Sequence, residues 1–116
     1  MIQHVSLEMR ADEVEAGVAF WRLLGFEPVA APGTLGERST WVQRGRFQVH
    51  LMHREDPVAP PDAHLALHVE DYAEAVARLR EAGFDPSPRE QHWGAERAFV
   101  RAPGGHRVEL MAAPPA

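Results

Sequence analysis

His4-Val5-Ser6-Leu7 near the start of the chain returns as His64-Leu65-Ala66-Leu67. In the same way Gly25-Phe26-Glu27-Pro28 returns as Gly83-Phe84-Asp85-Pro86, and Val49-His50-Leu51-Met52 as Val108-Glu109-Leu110-Met111. The offsets are 64−4 = 60, 83−25 = 58 and 108−49 = 59, so two half-modules of nearly equal length account for most of the 116 residues. Such a repeat restricts the chain to folds built from two copies of one supersecondary unit. It also puts metal-capable side chains in register, His4 with His64 and His50 with Glu109.

The pattern inside each copy is the same. An alternating segment that reads as a strand opens each half, at residues 2–9 and 63–70. Asp12 to Glu15 and Asp71 to Glu74 then form capping boxes, an acidic N-cap three residues before a glutamate. Residues 13–24 and 72–82 carry apolar side chains at helical spacing: Val14, Val18, Trp21 and Leu24, then Tyr72, Val76 and Leu79. Gly25 and Gly83 stand where these helices stop. Three extended pieces follow in each half, at residues 26–31, 37–43 and 46–53, then 84–90, 96–101 and 107–112. The last two of each set are joined by glycine turns at Arg44-Gly45 and Pro103-Gly104-Gly105.

Each half therefore reads as βαβββ. The chain is expected to be a single α+β domain of two modules, residues 1–54 and 63–113. Residues 55–62, with Pro57, Pro60 and Pro61, form a proline-rich linker.

Composition narrows the function classes. A net charge of −5 argues against a nucleic-acid partner, which usually meets a basic face. No apolar run is long enough to span a membrane, and the N-terminus lacks a secretory pattern. The absence of cysteine excludes disulfides, thiolate metal sites and a cysteine nucleophile. A cytoplasmic protein with a small-molecule substrate is the expectation. An edge strand in so short a chain invites pairing, so a homodimer is expected as well.

Strand residues two apart share a face. His4, Ser6 and Glu8 share one face of the first strand, and His64, Ala66 and His68 share one of the strand opening the second half. In the closing strands Gln48, His50 and Met52 match Arg107, Glu109 and Met111. If the halves pack as pseudo-symmetric copies, His4, His50, His64 and Glu109 converge. Imidazoles with one carboxylate suit a divalent ion such as zinc, iron, nickel, manganese or cobalt. Two histidines and a carboxylate with open positions serve oxygen chemistry, and a further histidine can close the site or act as a base.

Among the other candidates, Arg107 could hold a carboxylate or phosphate, with a salt bridge to a nearby acid such as Glu8 as the plainer expectation. His68 is expected to line a pocket or to hydrogen-bond. Trp41 and Trp93 could contact a substrate, Trp93 from a polar stretch with few core partners. His53, His92 and His106 are expected in solvent.

These motifs, above all His4-Val5-Ser6-Leu7, Leu24-Gly25-Phe26 and the closing run from Pro103 to Leu110, resemble the vicinal oxygen chelate superfamily. That group holds glyoxalase I, extradiol dioxygenases, methylmalonyl-CoA epimerase, fosfomycin-resistance proteins and bleomycin-binding proteins. The resemblance spans residues 2–111 and implies two βαβββ modules forming a cupped mixed or antiparallel sheet. It implies metal ligands at His4 and His64 on the first strands and at His50 and Glu109 on the last, with His50 and Glu109 in catalytic positions. Glyoxalase I-like members have a carboxylate, and epimerase-like members an amide, where this chain has His50, which points away from both activities. His4, His64 and Glu109 look like the set of extradiol dioxygenases and fosfomycin-modifying enzymes. The former use further histidine and tyrosine residues, and Tyr72 sits at a helix start. The latter use a cationic cluster that a lysine-free chain largely lacks. Two functions follow from the resemblance: a metal-dependent isomerase, lyase or dioxygenase, or a metal-free module that sequesters an antibiotic or aromatic ligand.

Overall fold

Alternation in the strands and helical spacing after the first of them decide the shape of each repeat. The computed structural model describes all 116 residues, which divide into two units, Met1–Ala59 and Pro60–Ala116. The first unit runs β1 (His4–Met9), a 3₁₀ turn (Ala11–Glu13), α1 (Val14–Leu23), β2 (Glu27–Val29), a second 3₁₀ turn (Gly33–Glu37), β3 (Ser39–Arg44) and β4 (Phe47–His53). The second runs β5 (His64–His68), α2 (Tyr72–Glu81), β6 (Ser87–Pro88), β7 (Arg97–Arg101) and β8 (Arg107–Met111).

Each unit holds one four-stranded mixed sheet, ordered β1-β4-β3-β2 and β5-β8-β7-β6. The opening strand lies parallel to the closing one, and the remaining pairs are antiparallel. A parallel pair needs a long crossover, which the intervening helix and two strands supply. The α+β architecture of two tandem βαβββ modules is thus the one the repeat predicts.

The core of the first unit follows from α1. Its Gly17, Phe20 and Trp21 are buried, as are Met9, Val42, Val49 and Leu51 on alternate positions of the strands. Gly17 permits the close approach, since a methyl there would meet Met9 Cε at 2.9 Å and Leu51 Cδ1 at 3.2 Å. Phe20, Trp21 and Phe26 meet edge to face. Each large side chain so buried contributes roughly 1.5–3 kcal/mol. In the second unit Ala75, Val76 and Leu79 of α2 are buried, together with Leu67, Ala98, Val100, Val108 and Leu110.

Helix starts differ between the copies. Asp71 caps α2, accepting the Glu74 amide at 3.1 Å. Asp12 does not cap α1. A 3₁₀ turn forms first, with Arg10 at its extended N-cap position, so Asp12 lies inside the turn and pairs with Arg10 at 3.2 Å instead. Both helices end at Gly25 and Gly83, whose φ of 87° and 94° lie in the left-handed region that glycine enters cheaply.

Two expected strands are shorter in the structure. The piece at 84–90 pairs only over Ser87–Pro88, because Pro86 and Pro88 carry no N–H for a ladder. The piece at 26–31 ends at Val29, ahead of the Pro32-capped 3₁₀ turn. Both short strands are sheet edges, where proline is tolerated. No helix is long and apolar enough to cross a membrane.

Candidate functional site

With one face of each sheet apolar, the period of two sends the polar residues to the other. In the second unit the register sets His64 beside Arg107, Ala66 beside Glu109, and Phe99 on the far side of Glu109. Glu109 is the hub. Its Oε1 lies 3.1 Å from His64 Nε2, and its Oε2 accepts from Arg97 Nε at 2.8 Å. The side chains of Arg97 and Glu109 are only 11% and 8% exposed, so this is a buried ion pair.

His64 stands at a fork. Its Nδ1 lies 3.0 Å from the Asp62 carbonyl oxygen and 3.2 Å from Arg107 Nη2. When Arg107 donates to Nδ1, the ring proton sits on Nε2 and goes to Glu109. When Nδ1–H donates to Asp62, Nε2 either carries a second proton for Glu109 or turns a lone pair toward the carboxylate, a repulsion that a cation between them would relieve.

The corresponding face of the first unit carries a stack of three rings. His50 lies flat on Trp41, centroids 3.8 Å apart and planes within 3°, and His4 stacks with His50 at 4.1 Å and 13°. Trp41 and His50 are direct cross-strand partners. The Trp41 indole N–H donates to Ser39 Oγ at 3.1 Å. His50 Nε2 lies 2.9 Å from Gln48 Oε1, and Gln48 in turn donates to Gln43 Oε1 at 2.7 Å. This chain assigns the His50 proton to Nε2 and leaves Nδ1 as an acceptor. His4 Nδ1 donates to Gln3 Oε1 at 2.7 Å, which leaves its Nε2 unused on an exposed ring.

Burial first, and the charge of His4 second, lower the pKa of His50 below its usual 6.5. The unfolded chain then takes up a proton that folded His50 refuses. The stability this creates is full above about pH 6.5 and is lost as pH falls through the lowered folded value. In the metal-free protein the urea midpoint should therefore fall with acidification over that window, and His50→Asn should flatten part of the slope. Equal slopes in both proteins would show that His50 titrates as it does when unfolded.

The donor geometry of His64 and Glu109 suits a divalent ion. Two ligand atoms each about 2.1 Å from one ion and at about a right angle are ~3 Å apart, close to the spacing of His64 Nε2 and Glu109 Oε1. Ligating imidazoles and carboxylates usually have their other polar atoms held. Here the Asp62 carbonyl stands at Nδ1 and Arg97 at Oε2. The pair fits. His4 and His50 fit less directly, since in parallel rings the in-plane lone pairs do not converge on one point. No group of three or more histidine, aspartate or glutamate side chains is gathered as one ion would require.

Of the other candidates, Arg107 has the nearby acid expected of it. Its acid is Asp62, at 3.7 Å, within its own unit, while Glu8 accepts from the Val58 amide. His68 is exposed, with Nε2 3.1 Å from the Ala112 carbonyl. Trp93 is tied down by its N–H to the Ala113 carbonyl at 2.8 Å and lies beneath Arg97. His92 is exposed, but His53 contacts Thr40 Oγ1 at 3.0 Å and His106 is buried. The glycine turn folds His106 back, its carbonyl accepting from Ala102. Arg97 was missed in the sequence, although alternation along β7 places it on the Glu109 face.

The two βαβββ units agree with the relatives of the chain. The family model of the Glyoxalase/Bleomycin resistance protein/Dioxygenase superfamily matches residues 1–110, so the chain belongs to that superfamily. A glyoxalase family protein from Bacillus anthracis is similar at 25% identity and a TM-score of 0.84, over 96% of this chain and 93% of that one. An antibiotic binding protein from Streptomyces sp. CB03234 matches at 24% identity and a TM-score of 0.73, over 96% and 93%. A fosfomycin resistance protein from Listeria monocytogenes matches at 14% identity and 0.80, over 98% and 91%. The last two show a shared fold alone. No curated protein matches the chain.

Proposed function

We propose that the chain is a divalent-metal-dependent enzyme of the vicinal oxygen chelate type, acting on a small organic substrate through its oxygens. One observation carries this reading: His64 Nε2 faces Glu109 Oε1 at 3.1 Å, with the far atom of each group already held. The ion, whether zinc, iron, nickel, manganese or cobalt, would supply Lewis-acid polarisation of a substrate oxygen. His64 and Glu109 would hold it; the family resemblance implies His4 as a further donor. Arg97 holds Glu109 in place through Oε2. His50, neutral near pH 7 and clamped flat by Trp41, is suited to take a proton at Nδ1. Isomerase, lyase and oxygenase chemistry share these demands. The protein is proposed to work as a cytoplasmic homodimer.

A second reading has its own support. The flat Trp41–His50–His4 stack would seat an aromatic ligand without a metal, and one similar fold is an antibiotic binding protein.

Elemental mass spectrometry of untagged protein, purified without a chelating column, separates the two. About one divalent ion per chain, lost in His64→Ala, is expected. Full metal content in His64→Ala would remove His64 from the site. No metal, even after reconstitution, would favour the binding module.

A further inference from the structure

Three arginines of the second unit surround one ring. The guanidinium carbons of Arg89, Arg97 and Arg107 lie 5.2, 5.2 and 3.9 Å from the centre of Phe99. Only Arg97 is neutralised at short range, by Glu109. Arg107 reaches one acid, Asp62, at 3.7 Å, and that side chain is 93% exposed. The Nε of Arg107 is shielded from water and has no hydrogen-bond partner. Arg101 gives its terminal nitrogens to the carbonyls of Gly105 and Pro61, which carry no charge. Arg89 meets the face of Phe99 and no carboxylate.

A cavity of about 220 Å³ opens among these groups, lined by Asp85, Ser87, Arg89, Phe99, Arg101 and Arg107. Its lining sets three guanidinium groups against one carboxylate, with the exposed Asp62 at Arg107 as the further acid, so the cavity stays cationic in a chain whose net charge is −5. A ring face offsets part of this charge, but it does not satisfy a forked array of N–H groups. An idle, shielded N–H is destabilising until an acceptor arrives. Planar guanidinium forks match the oxygens of carboxylates and phosphates. The volume is below the ~300–1,000 Å³ of drug-sized sites, so it suits a charged group rather than a whole ligand.

We infer that this cavity binds an oxyanion, a carboxylate or a phosphate or phosphonate group, carried by the substrate. That the substrate carries this group rests on the metal-enzyme reading; the anion site itself does not. The two are neighbours, because Arg107 Nη2 also lies 3.2 Å from His64 Nδ1. An anion drawing Arg107 toward itself would free Nδ1–H for the Asp62 carbonyl.

The test is a titration of the full chain with inorganic phosphate and, separately, malonate, in the presence of chelator, followed by amide NMR. Working without metal makes its failure independent of the metal reading. Saturable shifts centred on residues 85–107 are expected with at least one of the two anions, and the one preferred names the group. Arg107→Gln and the exposed, structurally undemanding Arg89→Gln should each weaken binding about tenfold, while Arg22→Gln should leave it unchanged. No saturable shift with either anion would overturn the assignment. So would equal weakening by Arg22→Gln, which would mean screening of the whole molecule.

Discussion

Glu109→Ala is expected to cost the metal-free protein about 3–5 kcal/mol of unfolding free energy, the range for breaking one side of a buried ion pair. The cause is less the lost carboxylate than what it leaves behind. Arg97, with its side chain 11% exposed, keeps its charge and retains the Glu90 carbonyl and the faces of Trp93 and Phe99. None of these is an anion. His64 also loses the acceptor of its Nε2 proton. If this account is right, the double variant Glu109→Leu with Arg97→Met recovers much of the loss, because it buries apolar groups where a lone charge stood. A urea-denaturation cycle over the wild type, Glu109→Leu, Arg97→Met and the double variant should give a coupling of about 2–3 kcal/mol. A single-variant loss under about 1 kcal/mol, with additive changes, would mean that water already screens the pair.

Trp21→Ala should be comparably damaging, at about 3–5 kcal/mol. Its side chain is 1% exposed and meets Phe20 and Phe26 edge to face at 5.2 and 5.1 Å. Gly17, one turn earlier, lets α1 sit close to Met9 and Leu51, so the helix has little room to sink further and fill the void. The urea midpoint should drop sharply, and the near-ultraviolet dichroism of the aromatic cluster should weaken. A loss below about 1.5 kcal/mol would imply that the site collapses around the missing ring.

The repeat made most of this fold readable, because strand pairing with period two turns a sequence offset into a spatial register. His64 and Glu109 could be placed on one face from the sequence alone. The errors arose where a local choice competes with the pattern. Asp12 is a sound cap residue, yet the 3₁₀ turn forming ahead of it takes its position. Residues 84–90 alternate suitably, yet Pro86 and Pro88 remove the donors. Arg97 was overlooked because a lone arginine in a strand reads as a solvated side chain until its partner across the ladder is known. Which acid stands beside Arg107 was not legible for a related reason. A long side chain can reach several carboxylates, and only the fold shows that Asp62 lies beside it. The stacking of His4 on His50 depends on ring rotation, which alternation does not encode.

The central claim is that a divalent ion sits on His64 Nε2 beside Glu109. It is tested most directly by recording imidazole ¹⁵N correlations of the labelled protein before and after addition of zinc. The account calls for His64 to settle, in the zinc form, into the state with its proton on Nδ1, held by the Asp62 carbonyl, and with Nε2 showing the shift of a metal-bound nitrogen. A His64 spectrum that zinc leaves unchanged, with the proton still on Nε2 and directed at Glu109, would contradict it.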